Sequence, residues 1–261
     1  MIDPKIPGAT SKEPAALYEG TDLELLAVLT SYRDWIVSQF APYLRGHIIE
    51  YGAGTGNISQ LLVRFADRLD LVEPSPNLIP ALHQKFDGHS NVRVITGTLE
   101  ETAAATPPES HDTVVIVNVL EHIEDDMGAL EGFRRTLRPG GALLVFVPAM
   151  PSLYSELDRL VGHFRRYRMK DLRAKCKSAG FTVVKQAHFD ILGVIPWWLI
   201  NRVMGSTSFN HRLARAYDRY FVPMGRTIES VVHPPIGKNI VLVARRAGAV
   251  EAGTDNAGVE R

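Results

Sequence analysis

The chain contains one cysteine, Cys176, so it can build neither an intrachain disulfide framework nor a cysteine-rich zinc site. It also lacks an excess of either charge. Its 29 basic and 29 acidic residues give no reason to expect a polyanionic partner, and no nucleic acid is expected to bind. The longest apolar run, residues 191–200, is too short to cross a bilayer. Residues 1–20 are polar and rich in proline and glycine, with no apolar segment of the signal-peptide kind, so a cytoplasmic location is the expectation. There is no internal repeat. What remains is ordinary globular composition, 45% hydrophobic and 22% charged over 261 residues, suited to one α/β domain with an elaboration or two.

The informative stretch is His47-Ile48-Ile49-Glu50-Tyr51-Gly52-Ala53-Gly54-Thr55-Gly56-Asn57. A short β-branched run ends in an acid, and three glycines follow at every second position. That reads as a buried strand, a tight turn and a helix start. The glycines let backbone amides approach a ligand closely, because no Cβ stands in the way. A dinucleotide fingerprint would instead space its glycines G-x-G-x-x-G, facing a pyrophosphate. Glu50 is poorly placed beside a phosphate and well placed beside a cationic or hydroxyl-bearing ligand.

The pattern resembles motif I of the class I S-adenosylmethionine-dependent methyltransferases, the E/D-x-G-x-G-x-G loop. The order of elements agrees. Residues 21–44 form an amphipathic helix capped at Thr21-Asp22, and a helix over 58–67 follows the glycine loop. The second strand, 69–72, ends in Glu73-Pro74, and Glu73 stands close to where such a sheet puts an acid on a ribose diol. A helix over 77–86 leads to strand three, 92–95, and then to Gly97-Thr98-Leu99. Strand four, 112–117, ends in Asn118-Val119-Leu120-Glu121-His122, similar to the family's motif IV region. Glu124, Asp125 and Asp126 read as first-turn helix acids, and no metal is expected there. The next helix stops at Arg138-Pro139-Gly140-Gly141, before strand five, 142–147. Strand six covers 182–188 and the last strand 239–244.

The resemblance implies an α/β fold: a Rossmann-like, doubly wound, seven-stranded sheet with helices on both faces. Six strands run parallel, and the last inserts antiparallel between strands five and six. It implies S-adenosylmethionine as cofactor and S-adenosylhomocysteine as product. Their binding residues are Glu50, Gly52, Ala53, Gly54, Gly56, Asn57, Glu73, Pro74, Thr98, Leu99, Asn118 and Val119. Related enzymes commonly hold the adenine amino group with an acid where this chain has Thr98, so side-chain readout of adenine is weakened. A flexible arm (1–20), one methyltransferase domain (21–246) and a disordered tail (247–261) complete the expected organisation.

Chemistry is expected at the carboxyl ends of the strands. His163 can serve as a base near neutral pH or can fix its loop through a hydrogen bond. His122 is a second catalytic candidate, with a supporting bond to the cofactor loop as its plain alternative. Tyr154, Arg166 and Tyr167 are expected on the acceptor wall, because a similar His-x-x-x-Tyr element lines the acceptor pocket in small-molecule members. The arginines can instead pair with Glu156 and Asp158. Trp197 and Trp198 lie in an insertion, residues 190–238, that reads as a lid, as packing on the sheet or a partner, or as a membrane-surface contact. The expected reaction is methyl transfer to an oxygen, nitrogen or carbon of a small, largely apolar metabolite. A cofactor-binding regulatory protein without transfer activity, or a nicotinamide-dependent oxidoreductase on a similar sheet, remains open. Oligomeric state is not readable.

Overall fold

The strands alternate side chains between two faces, and both faces are covered at the centre of the sheet, which is why residues 114–117, 142–147 and 240–244 are apolar throughout rather than at every second position. The computed structural model describes residues 22–207 and 210–248. Its strands are β1 (His47–Tyr51), β2 (Arg68–Glu73), β3 (Val92–Thr96), β4 (His111–Val117), β5 (Leu137–Pro148), β6 (Phe181–Phe189) and β7 (Asn239–Arg246). They form one sheet in the order β3-β2-β1-β4-β5-β7-β6. Only β7 runs against its neighbours β5 and β6, as the resemblance implied. The order reverses beside β1, and the crevice for a ligand opens there beyond the carboxyl ends of β1 and β4.

The helices are α1 (Asp22–Val28), α2 (Thr30–Phe40), α3 (Ser59–Leu62), α4 (Ile79–Phe86), α5 (Leu99–Ala105), α6 (Asp126–Thr136), α7 (Glu156–Leu160), α8 (Met169–Ser178), α9 (Val194–Trp197), α10 (His211–Ala216) and α11 (Val222–Val231). One face of the sheet packs Ile48, Leu71, Val115 and Phe146 against Trp35, Phe40 and Leu82 from α2 and α4. The other packs Ile49, Val114, Val145 and Leu242 against Ala103, Phe133 and Leu172 from α5, α6 and α8.

The helix expected over 21–44 is two helices. Leu29 leaves helical geometry at ψ 67°, and the exposed N-terminus of α2 is met by a distant carboxylate. Asp218 accepts the backbone N–H groups of Ser31 at 3.0 Å and Tyr32 at 2.9 Å. A capped start of this kind satisfies donors that a continuous helix would have used internally. The helix expected over 58–67 is likewise short, closing as a 3₁₀ turn at Val63–Phe65. The helix stop before Arg138-Pro139-Gly140-Gly141 stands, and the correction is to strand five, which opens at Leu137 rather than at Ala142. Helix α6 ends at Thr136, and these residues open β5, beside a register irregularity between His111 and Thr113 of β4.

The insertion forms two helical pieces. Helix α9 continues as a π-helical turn to Val203, and α10 runs through a π-helical turn, Tyr217–Phe221, into α11. Asp190 anchors them to the sheet. It accepts Gly193 N–H at 3.0 Å and the Tyr217 hydroxyl, and pairs with Lys238 at 3.0 Å. No helix among the described residues is long and apolar enough to cross a membrane. The arm expected at 1–20, the cap at Thr21 and residues 249–261 of the tail lie outside the described residues.

Candidate functional site

Strand β1 delivers the glycine loop to the crevice. Gly52, Gly54 and Gly56 all have positive φ, at 73°, 57° and 77°. A Cβ on Gly52 would meet Val119 Cγ2 at 2.4 Å, and one on Gly56 would meet the Phe86 ring at 2.8 Å. The glycine spacing is therefore demanded twice, by backbone conformation and by space.

Two acids flank this loop. Glu73 accepts the Gly54 N–H at 2.8 Å through Oε2 and the Ser75 N–H at 2.9 Å through Oε1. Each oxygen retains a second lone pair. Glu50 is buried and accepts the Ser59 hydroxyl at 2.5 Å. Burial pushes its carboxyl up to about 8, against the pull of Ser59 and with help from Glu73. A neighbouring cation would favour the ionised form, so Glu50 suits a ligand bearing an ammonium group.

The crevice holds two cavities that share Gly52 and Asn118. The wider, about 500 Å³, is lined by Glu73, Pro74, Thr98, Leu99 and Val119, together with His122. Thr98 is the N-cap of α5: it accepts Glu101 N–H at 3.2 Å, and the Glu101 carboxylate accepts Thr98 N–H at 3.3 Å. The second cavity, about 160 Å³, contains Glu50, Ala53, Asn57, His163, Arg166 and Trp197 among its walls. Asn118, at their junction, adopts a left-handed backbone (φ 53°), which asparagine tolerates better than most residues. Gly56 lines neither cavity and serves by packing.

His163 lies on the loop after α7. Its Nδ1 is 2.9 Å from Asp158 Oδ1, while Nε2 is 3.9 Å from Glu121 Oε1. Burial alone would raise the Asp158 carboxyl, but His163 and Arg166 hold it below the usual carboxylate range. An ionised Asp158 can only accept, so the proton on the His163 ring belongs on Nδ1 and leaves Nε2 as the basic nitrogen. The His122 ring crosses that of His163 edge-to-face at 4.6 Å. Burial, then the neighbouring His163, pushes His122 down to about 4, so it is neutral near pH 7. Glu121, His122 and His163 place ligand atoms within 4.8 Å of one another, close enough to share a metal ion.

The remaining expected acceptor residues divide. Arg166 and Trp197 face the smaller cavity and touch each other, guanidinium over ring at 4.7 Å. Arg166 is not a free clamp, because its Nε donates to Asp158 at 2.8 Å. Tyr154 stands behind the wall, its hydroxyl donating to the His163 carbonyl at 2.6 Å. Tyr167 is corrected outright: the chain bridges Ala149 to Tyr167 and turns the ring into the opposite core, where its hydroxyl donates to Asp126 at 3.0 Å. Trp198 points outward and is 49% exposed. Sequence reasoning missed Leu25, Leu29 and Tyr32, which close the smaller cavity from α1 and α2. Their helical apolar period was a signal, but it could not tell crevice from core.

Among known proteins, the family described as "Methyltransferase domain" matches residues 29–186. A probable ribosomal RNA small subunit methyltransferase A of Methanosarcina mazei is 33% identical over 78 residues, 30% of this chain and 29% of that protein. A ubiquinone biosynthesis O-methyltransferase of Aeromonas salmonicida is 26% identical over 114 residues, 43% of this chain and 47% of that one. The match thus spans less than half the length of each of these relatives. The crystal structure of a SAM-dependent methyltransferase from Archaeoglobus fulgidus superposes with a TM-score of 0.53 at 16% identity, over 82% of this chain and 94% of that chain.

Proposed function

This chain belongs to the methyltransferase-domain family and is an S-adenosylmethionine-dependent methyltransferase, and from that premise we propose that its acceptor is a small, largely apolar molecule. Membership argues against the oxidoreductase, and transfer activity is what separates this reading from a regulatory protein that only binds the cofactor. When bound, the cofactor supplies an activated methyl group on a sulfonium. Glu73 would hold the ribose diol with its two unused lone pairs and Glu50 the ammonium group, with the amino-acid end lying over the Gly52–Gly56 loop. Thr98 and Leu99 would border the adenine without a charged contact.

The chain's own work is to hold the acceptor and to take its proton. The observation that carries the reading is the smaller cavity, closed by Leu25, Leu29, Phe146 and Trp197 and floored by His163. Apolar walls with a few convergent polar groups fit a small ligand. Asp158 orients His163 so that Nε2 can accept a proton from an acceptor hydroxyl, amine or acidic carbon. Orientation can contribute roughly 7–11 kcal/mol and the base on the order of 10²–10⁴-fold.

A second reading has a specific observation behind it. Glu121, His122 and His163 could instead hold a divalent ion that binds the acceptor oxygen. Mass-spectrometric screening of acceptor classes with a labelled methyl donor, RNA included, tests the substrate class. Label is expected in small apolar acceptors, and label confined to RNA overturns the proposal.

A further inference from the structure

At the opposite edge of the sheet, away from the glycine loop, three strands bring a second group of side chains together. His47 begins β1, His111 begins β4 and Asp70 sits in β2 between Arg68 and Glu73. His47 Nε2 lies 3.2 Å and His111 Nε2 3.1 Å from the same atom, Asp70 Oδ2. The two imidazole rings are 3.9 Å apart. His111 and Asp70 are buried, while His47 borders a surface cavity that Asp70 and Arg93 also line.

Proton placement makes this arrangement unusual. The Ser110 hydroxyl donates its only hydrogen to the Pro107 carbonyl at 2.7 Å. Ser110 Oγ is also 2.9 Å from His111 Nδ1, so it would accept the ring proton whenever His111 carries it on Nδ1. The His47 ring likewise hydrogen-bonds the Ser110 backbone, while its Nε2 faces Asp70. With both rings neutral and protonated on Nδ1, the two Nε2 lone pairs converge on one carboxylate oxygen, as the ligands of a shared cation do. Arg93 donates to the same carboxylate, Nε to Oδ1 at 3.0 Å and a terminal nitrogen to Oδ2 at 2.5 Å, which keeps Asp70 ionised. Lone pairs facing an anion repel unless a cation lies between them. Protonating both rings would supply one, but it would set two imidazolium ions 3.9 Å apart, centroid to centroid.

We propose that His47 Nε2, His111 Nε2 and Asp70 Oδ2 form a site for a divalent transition-metal ion, zinc by preference, at the amino-terminal edge of the sheet. The three ligand atoms lie within 4.8 Å of one another. Tetrahedral zinc with bonds of about 2.0–2.1 Å separates neighbouring ligands by about 3.3 Å, so both nitrogen–oxygen spacings already match. Nitrogen and carboxylate ligands suit zinc, and the ring protons held by Ser110 are the outer bonds that ligating histidines make. Arg93, with 66% of its side chain exposed, can release Oδ2 while keeping Oδ1. Solvent in the adjoining cavity would supply the fourth ligand. The ion would pin β1, β2 and β4 together at the end remote from catalysis.

Isothermal titration of the metal-stripped full chain with zinc chloride tests this, using His163→Gln as the background so that the crevice group cannot contribute. One equivalent is expected to bind. Adding His47→Gln, or Asp70→Asn as an isosteric second variant, should weaken it by more than the roughly 10–100-fold that loss of an outer bond costs a metal site. Cobalt should give the visible absorption of a tetrahedral site in the background protein and lose it in both variants. Zinc should also raise the melting temperature of the background protein and not of the variants. Failure of zinc to bind, or binding unchanged in both variants, overturns the proposal and leaves the cluster a proton-linked ion network.

Discussion

Glu73 Oε2 accepts the backbone N–H of Gly54 at 2.8 Å, so the acid that ends β2 is tied to the loop that ends β1. Glu73→Ala therefore removes a clamp on the loop as well as both proposed contacts to the ribose. The loss of cofactor affinity should reach about 1.5–3 kcal/mol, the range for hydrogen bonds to a charged group. Calorimetry with S-adenosylhomocysteine measures it. Affinity equal to wild type would refute the ribose assignment.

Thr98 presents the opposite case. Its hydroxyl already accepts from Glu101 as the N-cap of α5. Thr98→Ala should cost about 0.5–2 kcal/mol of stability, the usual range for a lost cap, and weaken cofactor binding less than Glu73→Ala. Thermal unfolding and calorimetry on the same sample separate the two effects. A larger affinity loss than in the Glu73 variant would show that the threonine contacts the ligand directly.

The buried Glu50 carboxyl carries a pH signature. Its pKa rises from 4.5 to about 8 on folding, through burial. The sign follows from linkage: its stabilising contribution is complete below pH 4.5 and is lost as pH rises to about 8, because the native protein retains a proton that the unfolded chain has released. An ammonium group beside Glu50 would drive that proton off, so cofactor binding at pH 7 should release protons. Calorimetry in buffers of different ionisation enthalpy reads the number released. Glu50→Gln should abolish the release, and release equal to wild type in that variant would place the cofactor's ammonium elsewhere.

Much of this site was legible because its signals are local. The glycine spacing, the acid ending β2 and the apolar strands each follow from residues within one turn or strand. What stayed hidden depends on partners far along the chain. Asp218 caps α2 at Tyr32 across 186 residues, and nothing near Tyr32 announces that break. Arg166 reads locally as a free cation, yet folding buries it against Asp158 and Trp197. Tyr167 follows Arg166 directly, and the bridge to Ala149 sends the two side chains to different sides. The Pro-Gly-Gly run does follow the end of α6, but it opens β5 as an irregularity between the pairs His111–Leu137 and Thr113–Ala142. A local pattern cannot weigh a ladder partner it does not contain.

Chelation separates the two readings of the crevice. With His163 acting as a base, methyl transfer should survive exhaustive treatment with a chelator. The His47–Asp70–His111 group stands at the other edge of the sheet, so stripping an ion from it should lower stability before it touches turnover. Activity lost to chelator and restored by magnesium or manganese would assign Glu121, His122 and His163 to a catalytic ion instead.

The last test concerns the proton itself. Asp158 holds Nδ1 of His163 at 2.9 Å and also accepts from Arg166 and from the Ser155 amide, so its charge is shared among three partners. That arrangement fixes the ring without consuming Nε2. His163→Ala should lower turnover by roughly 10²–10⁴-fold, the usual worth of a positioned base, while leaving S-adenosylhomocysteine affinity nearly intact. Asp158→Asn should act in the same direction through the ring, because an amide can present a hydrogen where Nδ1 needs an acceptor. The size of the loss depends on the acceptor. An alcohol or an electron-rich carbon needs its proton removed, and the full effect is expected. An amine that is already neutral needs none, and the variant should then lose little. Running the His163 variant against one acceptor of each kind makes the comparison internal, since both share the cofactor site and the fold. Equal losses on the two acceptors would show that His163 shapes the cavity rather than accepting a proton, and His122, neutral near pH 7 with its ring against His163, would become the leading base.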